Sequence, residues 1–183
     1  SMYISAFNKM NIDIVIKYNS RNLLRGIVEE FISNKDLIGS VITIIDKIEK
    51  VTKEEFIQLL ESIGMNNKDA SKLLDILKYD LEKMNEFYKD TENELIRKGL
   101  EELVNLRDLI KRLDMDKYCV FTSSLARGQE YYTGNVFEVY DKSGYLTSSI
   151  GGGGRYDKMI TEFINDGEIY PAVGVSFGLS SLY

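Results

Sequence analysis

An arginine beside a glycine, followed by paired tyrosines, is the first group in this sequence whose residue types could carry chemistry. Residues 127–134 read Arg-Gly-Gln-Glu-Tyr-Tyr-Thr-Gly. Because glycine has no side chain, Arg127 can present its planar guanidinium to a phosphate or a carboxylate without steric shielding. On a strand, Tyr131 and Tyr132 would point to opposite faces, so that one packs while the hydroxyl of the other binds a ligand. Taken alone, the segment fits a turn that leads into an aromatic strand equally well.

Four consecutive glycines form the second group. Residues 151–157 read Gly-Gly-Gly-Gly-Arg-Tyr-Asp and follow an apolar stretch. Such a run costs conformational entropy on folding, and it makes sense where a ligand or another backbone must come very close. It is not a phosphate-binding P-loop, because no Gly-Lys-Ser or Gly-Lys-Thr follows, and it lacks the spacing of the dinucleotide fingerprint. A flexible linker is the alternative, and the apolar strands predicted on both sides argue against it.

The third group is weaker. Residues 172–179 read Ala-Val-Gly-Val-Ser-Phe-Gly-Leu. Alternating small and apolar residues suit a strand with one face left open for a flat ligand. Most strands of this composition are simply part of a core.

The composition excludes several kinds of chemistry. The chain has 183 residues and no histidine, so catalytic triads and metal sites that need an imidazole cannot be built from them. The single cysteine, Cys119, cannot form an internal disulfide, which suits a reducing cytosol, and its apolar neighbours favour a buried structural thiol. A net charge of −6 argues against binding nucleic acid over the whole surface, although it allows one local basic patch. No apolar run approaches the ~20 residues that span a bilayer and no secretory signal is recognisable, so we expect a cytoplasmic protein without membrane contact.

The elements that must position these groups fall into three parts. Residues 12–16 predict a buried strand, followed by a helix that begins near Arg21 with Asn19 or Ser20 as its cap. Over residues 34–116 apolar residues recur at three- and four-residue spacing, which predicts helices. After this region the pattern alternates, which predicts strands. We therefore expect an α+β fold in which an antiparallel sheet is interrupted by a helical insertion.

The helical part divides further. Helices are expected near residues 42–48 and 53–63, along a single face over residues 70–88, and over residues 95–113. Thr52 and Glu55 are spaced as a capping box. The basic residues of this part could contact a nucleic acid, but a solvated helix face is the favoured interpretation. They are Arg97, Lys98, Arg107, Lys111 and Arg112.

The last part should be mostly strand. The predicted elements are a strand over 118–122, a hairpin of strands 134–141 and 145–150 around a turn, a helix over 155–165 and a strand over 172–177.

In this order and spacing, the three groups resemble the histidyl-tRNA synthetases. The first is similar to that family's own arginine-glycine-x-acid-tyrosine-tyrosine motif, the second to its glycine-rich histidine-pocket loop and the third to class II motif 3. Residues 15–24 resemble the family segment that follows motif 2. The resemblance implies a class II catalytic core over residues 1–33 and 117–183, and an insertion domain over residues 34–116 that approaches the tRNA acceptor arm.

The resemblance also implies an activity. The family joins histidine to ATP, giving histidyl-adenylate and pyrophosphate, and then passes the histidyl group to its tRNA. ATP is then a substrate accompanied by Mg²⁺, and no metal site made by the protein is expected. Arg127 would be the cation that holds the carboxylate of histidine against the α-phosphate.

Individual residues are assigned by the same resemblance. Those matched to histidine binding are Tyr131, Tyr132, Gly152, Gly153 and Tyr156. Those matched to ATP binding are Arg127, Gly154, Gly174 and Gly178.

Two departures from the family pattern matter. Ser181 occupies the position of the motif 3 arginine that normally holds the γ-phosphate. Motifs 1 and 2 and an anticodon-binding domain are not found in these residues, and family members dimerise through motif 1. We therefore expect these 183 residues alone not to complete adenylation.

Two other functions remain as alternatives. One is a non-catalytic regulatory subunit of ATP phosphoribosyltransferase, which keeps this fold in histidine biosynthesis; retention of Arg127 with both tyrosines argues against it, and Ser181 weakly favours it. The other is a helical nucleic-acid or protein adaptor centred on residues 34–116, which leaves the glycine run unexplained.

Overall fold

The chain is built on one five-stranded sheet. A computed structural model describes residues 2–127 and 131–178. The strands within them are β1 (Ile14–Ser20), β2 (Cys119–Phe121), β3 (Asn135–Asp141), β4 (Gly151–Arg155) and β5 (Val173–Phe177). Their order across the sheet is β2-β1-β3-β4-β5, and only the β1–β2 pair is parallel.

Helices occupy most of the remaining described residues. They are α1 (Met2–Lys9), α2 (Arg21–Glu29), α3 (Ile38–Ile45), α4 (Lys53–Ser62), α5 (Asn67–Ile76), α6 (Leu81–Phe87), α7 (Glu94–Arg112) and α8 (Asp157–Ile164). The predicted α+β class, with its largely antiparallel sheet and a helical stretch between strands, is confirmed. No helix among the described residues is both long and apolar enough to cross a membrane.

The helices of the middle region share one apolar core with α2. The buried side chains of Leu23 and Ile27 on α2 belong to the same cluster as Phe56, Leu73 and Leu103 from α4, α5 and α7. The helical region is thus packed onto the first helix of the sheet-bearing part. The division after residue 33 stays a prediction.

Side-chain caps lie at the start of α4, α5, α6 and α7. The capping box of Thr52 and Glu55 is present at the start of α4, as predicted. The single helix face expected over residues 70–88 is wrong, because two helices occupy it. The carboxylate of Asp80 accepts a hydrogen bond from the backbone N–H of Lys83 (2.8 Å) and starts α6 as a new helix. The apolar spacing runs on through this point, but the side-chain cap of Asp80 begins a second helix there.

β1 is longer and lies later than the predicted strand over residues 12–16. It continues to Ser20 because its polar end is satisfied inside the protein. The side-chain amide of Asn19 donates to the carbonyls of Ser123 (2.8 Å) and Leu125 (3.0 Å). Ser20 is the residue before α2, as expected, but its hydroxyl donates to Glu102 on α7 rather than capping α2.

The glycine run is a strand and not a loop. The expected hairpin partner over residues 145–150 is wrong: β3 pairs with β4, whose register sets Phe137 opposite Gly153. Glycines are poor strand formers, so the sequence pattern favoured the apolar residues before them. The later helix and strand are confirmed as α8 and β5.

Cys119 is half-buried at the start of β2. Burial raises the pKa of its thiol, which disfavours the thiolate. This environment agrees with the predicted structural thiol.

Gly99 lies at a close approach between α2 and α7, and a substitution there tests this packing. A Cβ at Gly99 would lie 2.7 Å from Cα of Leu23, so neither helix could stay in place. We expect Gly99→Ala to reduce the free energy of unfolding by about 1–3 kcal/mol, measured by urea denaturation.

Gly39 is the matched control, since it also lies in a helix but nothing stands within 4 Å of the position its Cβ would take. Gly39→Ala should stabilise the protein by about 0.5–1 kcal/mol, because alanine restricts the unfolded chain. Equal effects of the two substitutions would contradict the packing described.

Candidate active site

The residues of β4 divide between the two faces of the sheet. We call the face that carries Glu138, Gly152 and Gly154 the front face and the opposite one the back face. A Cβ at Gly152 would collide with the guanidinium of Arg127, and one at Gly154 would lie 2.6 Å from Cδ1 of Tyr132. The front face of β4 is therefore covered by side chains that only glycine allows to approach so closely.

The back face of β4 is covered by α1, a helix that the sequence did not predict. Tyr3 packs there, and a Cβ at Gly151 would lie 2.8 Å from its Cε1. Its hydroxyl accepts from the backbone N–H groups of Gly152 (3.2 Å) and Ser176 (2.9 Å) and can donate to either residue's carbonyl. Tyr3 thus bridges β4 and β5 from behind.

Gly153 also faces the back. A Cβ on it would collide with the carbonyl oxygen of Gly174 and lie 2.7 Å from Cζ of Phe137. The resemblance assigned Gly153 and Gly152 alike to histidine binding. The strand separates them, since neighbouring residues point to opposite faces.

Arg127 is held in place from two sides. Its Nε lies 3.5 Å from Oε1 of Glu138, and its Nη1 donates to the carbonyl of Phe137 (3.3 Å). Both charged side chains are 19% exposed. A half-buried ion pair with an added hydrogen bond fixes the orientation of the guanidinium plane, which a lysine could not reproduce.

Glu138 is the residue that sequence reasoning missed. In addition to its ion pair with Arg127, the carboxylate of Glu138 accepts a hydrogen bond from the hydroxyl of Tyr140 (2.5 Å). Burial, and then the carboxylate of Glu138, raises the pKa of Tyr140, so the phenol remains a donor. The one available signal was a lone carboxylate within the otherwise apolar strand from Val136 to Tyr140.

Tyr131 and Tyr132 precede β3 instead of lying on a strand as predicted. Their ring centroids are 4.6 Å apart; Tyr132 is buried, whereas Tyr131 is exposed. Burial, and then the hydroxyl of Tyr131, raises the pKa of Tyr132 to about 12, while Arg127 opposes the shift. The guanidinium carbon of Arg127 lies 5.7 Å from the Tyr132 ring centroid. Tyr132 is therefore a neutral phenol beside the fixed arginine.

Tyr156 completes the aromatic group. It packs against the cluster that contains Tyr132 and lies edge-on to Tyr131, with 6.3 Å between ring centroids. A Cβ at Gly174 would lie 2.7 Å from Cε1 of Tyr156. Gly154 and Gly174 face each other across β4 and β5, so two tyrosines lie over two paired glycines.

Hydrogen bonds around Thr133 fix the segment that carries these rings. Its backbone N–H donates to the carbonyl of Arg155 (2.8 Å), and its hydroxyl accepts from the N–H of Asp157 (3.2 Å). The Asp157 carboxylate in turn accepts from Nε of Arg155 and from the N–H of Ala172 (2.8 Å). The Arg-Tyr-Asp triplet after the glycines therefore positions Tyr156.

The predicted site residues are brought together only in part. Arg127, Tyr132, Gly152 and Gly154 meet on the front face, with Tyr131, Tyr156 and Gly174 beside them. Gly178 lies beyond the other end of β5, where its N–H donates to the carbonyl of Ile150 (2.9 Å). Ser181 lies outside the described residues.

A polar cavity extends this site along β3 towards β1. It has a volume of about 370 Å³ and is lined by Lys17, Glu138, Tyr140 and Ser124, among others. Ligand pockets of this size hold small molecules. The arrangement can thus offer a fixed cation, neutral phenol donors and room for a small polar ligand.

Alanine substitutions at two neighbouring glycines test the division of β4 between faces. Gly153→Ala sets a Cβ against a backbone carbonyl that cannot move without breaking the pairing of β4 and β5, so we expect a loss of about 3 kcal/mol or more in unfolding free energy. Gly152→Ala meets mainly the end of the Arg127 side chain, which can be displaced at the cost of one ion pair and one hydrogen bond, so the loss should be nearer to 1 kcal/mol.

Denaturant titration measures both losses. In Gly152→Ala alone the NMR signal of the Arg127 Nε–H group should shift, because that guanidinium is displaced. A larger stability loss at Gly152 than at Gly153 would contradict the assigned faces.

Comparison with known proteins identifies the family. The histidyl-tRNA synthetase family model matches residues 1–182. A histidine–tRNA ligase of Bacillus cereus is 36% identical over 187 residues, which covers 100% of this chain and 42% of that protein. The crystal structure of histidyl-tRNA synthetase from Nostoc sp. PCC 7120 superposes with a TM-score of 0.90 at 32% identity, over 99% of this chain and 44% of that one.

A more distant structure shares the fold alone. It is described as an ATP phosphoribosyltransferase regulatory subunit/histidyl-tRNA synthetase from Bacillus halodurans, and it superposes with a TM-score of 0.79 at 18% identity, over 100% of this chain and 48% of that one. The chain spans less than half the length of each of these relatives. From the family model and the identity along its whole length, the chain belongs to the histidyl-tRNA synthetase family.

Proposed function

We propose that this chain is part of a histidine–tRNA ligase, which joins histidine to ATP and transfers the histidyl group to its tRNA. The observation that carries the proposal is the fixed guanidinium of Arg127, held by Glu138 over the glycines of β4 and beside the buried Tyr132. A cation fixed in this way is what the joining of two anions requires.

The first step brings the carboxylate of histidine against the α-phosphate of ATP. Arg127 would lie between these groups, reduce their repulsion and align the attacking oxygen, while pyrophosphate leaves with the bonding electrons of the broken P–O bond. The ion pair with Glu138 supports this role, because it orients the guanidinium before the substrates arrive. Mg²⁺ enters with ATP as part of that substrate.

Histidine would be selected by the phenol hydroxyl of Tyr132 within an aromatic pocket. Tyr132, with its raised pKa, stays protonated over the physiological range, and Tyr156 lies in the same apolar cluster. A buried hydroxyl that must hydrogen-bond to the imidazole strongly weakens the binding of substrates that offer no hydrogen-bonding partner, because the hydroxyl is then left unpaired. Gly152 and Gly154 form the floor below, and Gly174 extends it towards the adenine. We retain Tyr131 as an outer wall and propose no ligand contact for Gly153 or Gly178.

The remaining assignments follow from the family. We propose that residues 34–116 form the insertion domain towards the acceptor arm, that residues 1–33 and 117–183 belong to the catalytic core, and that the whole enzyme acts as a cytoplasmic homodimer. Ser181 implies that the γ-phosphate contact comes from another residue.

The regulatory alternative rests on shared fold. A second structure of this kind, described as an ATP phosphoribosyl transferase complex from Thermotoga maritima, is 19% identical with a TM-score of 0.62. The presence of the Arg127–Glu138 pair favours the ligase, since a protein without adenylation chemistry has no use for a fixed cation at that place.

Arg127→Ala tests the proposed step. Within a complete catalytic domain that carries this chain, we expect adenylate formation to slow by at least about 100-fold while histidine still binds, because the lost contact acts in the transition state. Single-turnover rates and histidine titration measure the two effects. An unchanged rate would refute the role of Arg127.

Two controls accompany this test. The double variant Arg127→Gln with Glu138→Gln removes the charge without leaving a half-buried carboxylate unpaired, so a rate loss in both variants is not due to misfolding. This chain by itself should show no histidine-dependent pyrophosphate exchange, and a normal rate from it would contradict our expectation that it needs the rest of the enzyme.

Tyr132→Phe tests the proposed histidine pocket. Removing the buried hydroxyl should weaken histidine binding by about tenfold and leave ATP binding nearly unchanged, because only histidine loses a hydrogen bond. Calorimetry with each ligand measures this in the complete catalytic domain. Tyr145→Phe is the matched control, since that ring is 89% exposed. Equal losses for histidine and ATP would count against the pocket.

A further inference from the structure

Lys17 is a cation on the front face of the sheet that none of the roles above uses. It lies on β1 directly opposite Glu138 on β3. Directly opposite residues of an antiparallel pair share one face and have Cβ atoms about 4.5–5.5 Å apart, so opposite charges there can pair. Both side chains also line the polar cavity of about 370 Å³. The sheet therefore sets a second cation beside the carboxylate that holds Arg127.

Lys17 nevertheless pairs with a carboxylate of the helical region. Its Nζ lies 2.5 Å from Oε1 of Glu49, which belongs to the connection between α3 and α4. The same Nζ lies 4.9 Å from the ring centroid of Tyr140. Lys17 is half-buried, whereas Glu49 is exposed. The connection between α3 and α4 thus reaches over the front face and holds the ammonium group away from Glu138.

The two oxygens of Glu138 have different partners. Oε1 lies 3.5 Å from Nε of Arg127, and Oε2 accepts the hydroxyl of Tyr140 at 2.5 Å. The contact with Arg127 is longer than the roughly 2.7–2.9 Å of a strong charge-assisted hydrogen bond. A cation that came closer would therefore compete with it. Because a lysine ammonium is a compact charge on a flexible stem, Lys17 can approach Glu138 across the cavity that both side chains line.

A second cation at Glu138 would disengage the catalytic arginine. Two like charges beside one carboxylate repel each other, and the half-buried setting strengthens that repulsion. Arg127 would then lose the ion pair that orients its guanidinium plane, although its hydrogen bond to the carbonyl of Phe137 (3.3 Å) need not break. The position of Lys17 therefore determines whether Arg127 is held ready for the substrates.

We propose that Glu49 is a positioning residue: by pairing with Lys17 it keeps that cation away from the carboxylate of Glu138, which then orients the catalytic guanidinium. The inference rests on the proposed function for the step that Arg127 serves. The exchange of ion-pair partners depends only on charges that line one cavity, and it does not require adenylation. The orientation of Arg127 thereby depends on how the helical region docks on the sheet.

The test removes both carboxylates of the connection between α3 and α4. Asp46 also lines the cavity and would accept Lys17 if Glu49 alone were replaced. In the variant Asp46→Asn with Glu49→Gln, the one carboxylate left among the described residues of the cavity is Glu138. In a complete catalytic domain that carries this chain, adenylate formation should slow by about fivefold or more, the lower end of the usual coupling between sites. Single-turnover rates measure the change.

Lys17→Met separates this role from a purely structural one. With methionine at this position the cation opposite Glu138 is gone, so the substitutions at Asp46 and Glu49 should change the rate by less than about twofold. If the ion pair of Lys17 with Glu49 only stabilised the fold, no such rescue would occur. A loss of fivefold or more that persists in the Lys17→Met background would overturn the proposal.

A matched control removes two carboxylates from exposed ion pairs elsewhere in the helical region. Asp75 pairs with Lys78 (2.9 Å) and Glu86 with Lys89 (2.6 Å). The variant Asp75→Asn with Glu86→Gln gives the same change in net charge, and the rate of adenylate formation should stay as it was, because such pairs contribute little. An equal loss of rate in this control would attribute the effect to net charge and contradict the role of Glu49.

The side chain of Arg127 reports the exchange of partners in this chain without any substrate. In the variant of Asp46 and Glu49, the NMR signal of the Arg127 Nε–H group should shift and its hydrogen exchange with water should become faster. Adding Lys17→Met should return both to their unsubstituted values. An unchanged signal in the first variant would refute the inference. A changed and rescued signal, together with no adenylation by the unsubstituted catalytic domain, would support the exchange of partners and contradict the proposed function.

Discussion

The close approach of other groups to β4 is the constraint on which the rest of this structure depends. Arg127 and Tyr132 cover its front, Tyr3 covers its back, and the backbone of β5 lies beside it, at distances that leave no room for a methyl group at any of the four glycines. Glycines alone specify the register of a strand weakly, because they have no side chains to assign to a face, so the contacts of Arg127, Tyr132 and Tyr3 hold the register of β4. The four glycines thus permit this geometry, because a side chain at any of them would displace the groups that cover β4.

The ion pair of Arg127 with Glu138 determines what that geometry can do. A half-buried charge pair is a poor source of stability, because desolvation offsets much of its attraction. What it supplies is orientation, and Tyr140 extends it by fixing Glu138 in turn. The same low exposure that makes the pair costly strengthens the attraction between the guanidinium of Arg127 and an anionic ligand in contact with it.

The sequence correctly predicted the features that depend on residues close together along the chain. The cap of α4 and the long α7 follow from capping residues and apolar spacing, and the start of α2 at Arg21 was also predicted. The site residues that were assigned by motif stay a proposal. What it could not supply was pairing between distant segments: β4 as a strand of glycines, the opposite faces of Gly152 and Gly153, and Glu138 as the partner of Arg127. α1 was missed because its two buried rings, Tyr3 and Phe7, pack against strand residues that lie far away in the sequence.

Hydrogen bonds to Glu102 connect the helical region to the site. From the middle of α7 its carboxylate accepts from Ser20 and Asn22, and Asn22 also donates to the carbonyl next to Tyr132. Leu23 also packs against Gly99, so α7 contacts α2 and is connected through Asn22 to the tyrosine segment. A displacement of α7 along its axis would therefore either break these hydrogen bonds or carry the segment of Tyr132 with it.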